Sequence, residues 1–444
     1  MSEATRAAQP PSASLAEPAP TTARSGAWII FLLSLSALFA AFDQQAFSVL
    51  LVPIQKDLKV SDAAMGALTG TSFAVVYAVL ALPLARLADR TNRRNLLGVA
   101  VGLWSVATAL CGIAGNYVQL LLARVAVAGG EAANAPTSMS LIGDLFRADR
   151  RGTAIGFTVV GTALGFSLGA ASAGYLSDRY GWHIALLAVS LPGLILAGLI
   201  FLTLPEPPRG LHDGAAADVA APSLLEAVKR CGRIRTLYPF AAGFTLLQMC
   251  FQGWLIWMPP FLMRVHHLKA TEMGALFGVI IAGGAVGNLV SGQLSDRLSR
   301  RGARWRLYVC CAIVVVSLPL LTASSLIPGL APTVACLIAY TLASGGLTTA
   351  CTVTYVSLAP PSLRAVMTAL MRALAMVVGG GTGPVLFGLV NDRLKPAFGD
   401  ESLRYTLLLS PLMLALAGVL FFVASRTIER DTANLDPEVA RRAT

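Results

Sequence analysis

The amino-acid sequence predicts an all-α membrane protein with twelve transmembrane helices in two six-helix pseudo-repeats. Three observations lead there: the apolar content, the number and length of the apolar runs, and short motifs that return at a fixed offset. Of 444 residues, 55% are hydrophobic and 13% charged, against roughly 25% charged in a soluble domain. Mean hydropathy is +0.68. No water-soluble fold hides this much apolar surface. The runs are continuous rather than alternating, so they read as helices and not as barrel strands.

In order, an Ala-, Pro-, Ser- and Thr-rich tail, 1–26, reads as disordered and lacks a signal-peptide cleavage pattern. A first half, 27–204, holds apolar runs at 27–54, 63–84, 96–115, 117–145, 152–176 and 183–204. The polar stretch 205–235, with EPPRG and KRCGRIR, is a linker. A second half, 236–425, holds runs at 236–263, 272–294, 307–326, 332–357, 365–391 and 404–425, and 426–444 is a second tail. Each run reaches the ~20 residues that cross ~30 Å of hydrocarbon.

Placing the N-terminus in the cytoplasm puts about 24 Lys and Arg on that side and about 8 on the other. This positive-inside bias predicts that both termini are cytoplasmic in a plasma membrane, the inner membrane of a bacterium. The net charge of +11 then belongs to loops facing membrane lipids rather than to a nucleic-acid surface. The seven cysteines and four histidines show no disulfide framework or metal-ligand spacing, and no cofactor is expected.

The repeat is visible in short motifs. MGAL occurs at Met65–Leu68 and again at Met273–Leu276, an offset of 208, with Ser61 and Thr271 ahead of them as N-cap candidates. The pair Asp89-Arg90 returns as Asp296-Arg297. GYLSD (Gly174–Asp178) and GLVND (Gly388–Asp392) echo each other at the outer ends of the fifth and eleventh runs. Together they indicate parallel repeats about an axis along the membrane normal.

The loop ALPLARLADRTNRRNLL, Ala81–Leu97, sets Arg86, Arg90, Arg93 and Arg94 around Asp89. It reads either as positive-inside punctuation or, with its looser copy SGQLSDRLSRR, as a gating loop formed by Asp89, Arg90, Arg93, Arg94, Asp296 and Arg297. The pattern resembles G-x-L-x-D-R-x-G-R-R of the major facilitator superfamily, with Ala85 and Asn92 in place of the two glycines. Asn tolerates a left-handed backbone, so the turn is expected to survive.

Within that superfamily the chain is similar to bacterial Spinster-like transporters. The supporting residues are the first-run Asp, SDAAMGALTGTSFAVVYAV, RVAVAGGEAANAPTSMSLIGDLF, EPPRG and WMPPFLMR; anion:cation symporters share the GEA element. Spinster-like chains pair the first-run Asp with an adjacent Arg, and Gln44 stands there in this chain, which leaves the lysolipid substrate implied by that resemblance open. The resemblance implies the major facilitator fold and transport by alternating access.

Four charges lie inside the runs: Asp43, Arg124, Glu131 and Arg372. Such groups line aqueous paths or pair with one another. At ~1.5 Å per residue, Asp43 and Arg124 each lie ~10 Å from the outer side, and Glu131 and Arg372 each ~10 Å from the cytoplasm. The expected arrangement is Asp43–Arg124 above and Glu131–Arg372 below, with Asp43 and Glu131 as proton carriers. The alternatives are helix-packing charges for Arg124 and Glu131, and snorkelling for Arg372. Polar cavity candidates are Gln44, Gln45, Asn134, Gln248, Gln252, Asn288, Thr348, Thr349, Thr352 and Tyr355, with Trp254 and Trp257 as aromatic walls. Gly129-Gly130, Gly283-Gly284 and Gly379–Gly381 permit close helix contact, and Gly383-Pro384 marks a kink.

There is no G-x-x-x-x-G-K-[ST] phosphate loop and no catalytic constellation. The reading is therefore a monomeric secondary transporter, not an enzyme, whose partners are protons and a small-molecule substrate. It takes up a small organic anion with protons. The alternatives are proton-driven export of an amphipathic lysolipid or drug, and a membrane sensor that binds without transport.

Overall fold

The computed structural model describes residues 23–206, 224–299, 302–359 and 363–435. The first expected tail lies largely outside them, as do about half of the second and more than half of the linker. Among the described residues, nine helical stretches are long and apolar enough to cross a membrane. Two of these, 54 and 60 residues long, contain a turn and cross twice. The charge-bearing 29-residue helix Tyr117–Leu145 adds the twelfth span.

The spans are α1 (Ala23–Leu58), α2 (62–90), α3 (Arg93–Gly112), α4 (Tyr117–Leu145), and α5 and α6 (148–180 and 182–203). Then follow α7 (Leu237–Val265), α8 (Ala270–Ser299), α9 (Ala303–Leu326), α10 (330–357), α11 (364–398) and α12 (Leu409–Ser425). Gly181, at φ 82, supplies the left-handed residue at which α5 turns into α6. α1 starts at Ala23, so its first turn extends into the stretch read as a disordered tail. The linker contributes a helix, Leu224–Cys231, and the C-terminal region another, Ile428–Leu435.

Close packing places the first helix. A Cβ on Gly161, Gly165 or Gly169 would lie 2.4, 2.1 or 2.3 Å from the carbonyl oxygens of Ser34, Leu38 and Phe42. This G-x-x-x-G-x-x-x-G ridge lets α5 lie against the α1 backbone, as small residues do in membranes. The glycines of the two MGAL motifs do the same between halves. A Cβ on Gly66 would meet Pro384 O at 2.4 Å, and one on Gly274 would meet Ala170 O at 2.3 Å. The repeated motif is thus the crossing point of α2 on α11 and of α8 on α5.

Both α2 and α11 contain a π turn, at Ala67–Thr71 and Leu374–Gly380. The two turns abut across the interface, where Thr71 Oγ1 donates to Gly381 O at 2.7 Å. The Gly383-Pro384 pair follows directly, so the expected bend in α11 coincides with its π turn. Val79, Ile195 and Val315 are well exposed on the outside of the bundle, as lipid-facing side chains are.

Candidate functional site

The centre of the first half is built around Asp43, whose helix is seated on the glycine ridge of α5. α4 brings Arg124 to it: Arg124 Nη1 donates to Asp43 Oδ2 at 3.1 Å. From α3, Thr108 Oγ1 donates to Asp43 Oδ1 at 2.6 Å. The guanidinium lies 4.3 Å from the Phe47 ring centroid and 5.7 Å from that of Phe73, a cation–π arrangement strengthened by desolvation. All are buried. Depth alone predicted this pair, and the geometry brings it together.

A cavity of about 20 Å³ sits beside it, lined by Gln44, Gln45, Thr69 and Arg124 of the first half and by Gln252 of the second. That is room for one water-sized group. Gln44, Gln45 and Gln252 therefore face the inter-half space. Gln248 is partly buried, with Oε1 unpartnered among the described residues.

Glu131 lies two turns along α4 from Arg124, toward the end of the bundle that carries the termini. It is 7% exposed, and its Oε1 has no hydrogen-bond partner among the described residues. It is within electrostatic reach of Asp43 and Arg124. The expected ion pair with Arg372 is not formed. Arg372 is exposed, with no ion-pair partner found among the described residues. Both groups instead lie within electrostatic reach of the Tyr77 ring oxygen from α2. The lower level is an acid, a guanidinium and a phenol near one another, not a closed pair.

Several other candidates belong to packing. Trp254 stacks edge-on with Tyr340 at 5.3 Å, and Tyr355 packs on Phe244 at 5.9 Å, both buried inside the second half. Trp257 Nε1 donates to Pro384 O at 2.8 Å within the same half. These aromatics are core groups, because their ring and hydrogen-bond partners belong to helices of one half; Trp257 reaches the Pro384 carbonyl against which Gly66 lies. Asn134 is bound inside the first half, accepting from Ser36 Oγ at 2.7 Å. On α8, Asn288 accepts from Thr349 Oγ1 of α10 at 3.1 Å. Thr348 is exposed and Thr352 partly so.

In this conformation the Arg93-Arg94 part of the loop read as a gate staples the first half together. Arg93 is buried and pairs with Asp144 at the end of α4 and, at 3.0 Å, with Glu206 of the EPPRG motif. Glu206 also takes the Arg94 amide at 2.8 Å. Asn92 has φ −71 and caps α3, its side chain accepting from the Asn95 amide at 2.9 Å. It fills the glycine position by capping, not by a left-handed turn. Arg90 is exposed, and the side chains of Asp89, Asp296 and Arg297 lie outside the described part.

The opposite, or far, side carries a network that sequence reasoning missed. Asp62, at the start of α2, is 0% exposed. Arg264 of α7 grips it through Nη2 at 2.9 Å and Nη1 at 3.2 Å. Gln55 of α1 and Asn391 of α11 donate to it at 2.8 and 2.7 Å. Asp392, the last residue of the GLVND echo, accepts the backbone amides of Asp62 and Ala63 at 3.0 and 2.8 Å. Its repeat partner Asp178 accepts Thr271 N and Oγ1, both at 2.8 Å. Thr271 is thus a donor to an aspartate of the other half, and only Ser61 acts as a side-chain cap of its own helix. Asp62 and Arg264 stand inside the quoted SDAAMGAL and WMPPFLMR stretches, but nothing local signals their pairing.

Comparison with known proteins fits this architecture. The family model described as Major Facilitator Superfamily matches residues 33–384. A Mycolicibacterium smegmatis protein described as an MFS-type efflux pump is 30% identical over 398 residues, covering 86% of this chain and 89% of that one. A probable L-galactonate transporter of Escherichia coli K12 is 26% identical over 283 residues, 62% of each chain. The crystal structure of a bacterial homologue of the human lysosomal transporter Spinster, inward-facing and unoccupied, superposes with a TM-score of 0.83 at 25% identity. It covers 92% of this chain and 99% of that one. With its twelve spans, its repeats and these matches, the chain belongs to the Major Facilitator Superfamily, close to the Spinster-like members.

Proposed function

We propose that this transporter is a monomer of the bacterial inner membrane with both termini cytoplasmic, and that it takes up a small organic anion together with protons. The observation that carries the reading is Glu131: a buried carboxyl without an ion-pair partner, two turns from a buried Asp43–Arg124 pair. A charge held in low dielectric without a partner is costly, so an acid in this position is suited to bind and release a proton as its surroundings change. Arg372, exposed and without an ion-pair partner among the described residues, supplies the cation that an anionic substrate meets. The similarity to a probable L-galactonate transporter supports a sugar acid or comparable carboxylate.

With the termini cytoplasmic, the far-side network closes the outer mouth and the conformation is inward-facing. The inward-facing Spinster homologue, a near structural match, supports that assignment. In the opposite state Glu131 and Arg372 approach across the halves while Asp62 and Arg264 part. Asp89, Arg90, Asp296 and Arg297 act as the cytoplasmic gate in that state.

The similarity to an MFS-type efflux pump favours a second reading, proton-driven export of an amphipathic compound. Proteoliposomes with an imposed pH gradient and a panel of sugar acids, small carboxylates and amphipathic compounds separate the two by the direction of flux. For uptake, wild type accumulates an acid and a protonophore abolishes accumulation. Asp43→Asn loses proton-driven flux, and Glu131→Gln retains exchange while losing accumulation. Undiminished proton-driven flux in Asp43→Asn defeats the coupling role. Binding without accumulation would mark a sensor.

A further inference from the structure

A second cavity, of about 430 Å³, opens on the far side between the halves. Its charged walls are Lys56, Lys59, Arg264, His267, Lys395 and Asp400. The volume lies in the range of small-molecule sites. Val52 and Met263 add an apolar wall. It abuts the closed far-side network, sharing Gln55 and Arg264 with it, and lies away from the Asp43–Arg124 layer.

Three of the cations have an ordinary explanation. Lys56, Arg264 and Lys395 stand in the last turns of α1, α7 and α11, where a positive charge answers the helix dipole. Lys59 and His267 do not. They lie past the helix ends, at φ 51 and 55, and are the two non-glycine residues with positive φ among the described residues. They are 208 residues apart, the offset of the MGAL repeat, so both halves place a nitrogen-bearing side chain at one equivalent point. Glycine occupies that backbone region without strain, whereas an L side chain there costs about 1–2 kcal/mol. Helices commonly close on a left-handed residue, usually Gly, so the choice of Lys and His at these two ends is what calls for a use.

We propose that this cavity is an anion site on the far side, taking a compact oxyanion. Its walls come from both halves, so the anion bridges them and binds the conformation in which the far side is shut. A ligand with that preference shifts the equilibrium toward the shut form. The occupant is a free solute or the headgroup of an anionic lipid; both present the same oxyanion chemistry. The inference does not depend on the substrate or direction of transport.

The test is titration of the purified full chain in detergent with citrate and with pyrophosphate. Wild type binds. The double variant Lys59→Gly/His267→Gly binds roughly tenfold more weakly or worse, as lost charge-assisted contacts require, while its Tm holds or rises because the backbone strain is relieved. Lys229→Gln, on the exposed linker helix, binds as wild type does. Repeating the titration in nanodiscs of phosphatidylglycerol and of phosphatidylcholine identifies the occupant. Weaker citrate binding in phosphatidylglycerol, for wild type alone, assigns a lipid headgroup, and equal binding assigns a solute. The proposal is overturned if wild type binds neither probe, if the glycine double variant binds unchanged, or if Lys229→Gln weakens binding equally.

Discussion

The two far-side junctions, α2 on α11 and α5 on α8, are built to one plan and loaded differently. In each, an aspartate at the end of a helix from one half accepts backbone amide hydrogens at the start of a helix from the other: Asp392 for α2 and Asp178 for α8. In each, a glycine of MGAL lies against a backbone carbonyl. Behind Asp392, however, stands buried Asp62 with Arg264, Gln55 and Asn391, whereas Asp178 adds only the exposed hydroxyl of Thr271. The shared parts are a docking plan inherited by repetition. The buried charge pair is a private addition, and it makes α2/α11 the junction whose opening must separate charges from low dielectric.

The comparison breaks most visibly at Arg264. Arg264→Ala leaves buried Asp62 with half-exposed Lys395, 3.9 Å away, as its remaining cation among the described residues; removing one partner of a buried pair costs about 3–5 kcal/mol. Spin-label distances across the far side should lengthen toward an open mouth, and no single substitution at α5/α8 should match it. Next come the glycines. Gly66→Ala and Gly274→Ala each force a Cβ onto backbone, with overpacking penalties of about 1–3 kcal/mol; their Tm losses should agree with each other, since the crossings are alike. The smallest effects belong to the caps. Asp392→Ala and Asp178→Ala should each cost about 1 kcal/mol and differ from one another by less than either differs from Arg264→Ala. A large gap between the two cap variants in chemical unfolding would place the asymmetry in the caps themselves.

How much of this was legible beforehand depended on distance along the chain. Twelve spans follow from run length, because the bilayer fixes what a run must be. The Asp43–Arg124 pair was legible because rise per residue turns position into depth, and two opposite charges at one depth have few other partners. The echoes GYLSD and GLVND located the far-side aspartates without revealing their use, since their acceptor role involves the other half. Asp62 and Arg264, 202 residues apart, sit at span ends, where charges are commonplace and single out no partner. Arg93 was read as part of a gate because its loop repeats, but its partners Asp144 and Glu206 close a staple inside one half. Trp254, Trp257 and Tyr355 were assigned to a cavity on residue type alone, which does not say toward which neighbour a helix face turns.

The π turn of α2 bears on that last point. A helix advances about 100° per residue, and a π turn holds one residue more than an α turn. Everything beyond Ala67–Thr71 is therefore out of phase with what precedes it by about one residue. Asp62, ahead of the turn, faces Arg264 and Asn391; Tyr77, after it, faces the space shared with Glu131 and Arg372. Without the turn the two would stand about 60° apart in azimuth, and the slip sets them about 40° apart on the other side. α2 is a single rod that meets the far-side network at one end and the neighbourhood of Glu131 at the other.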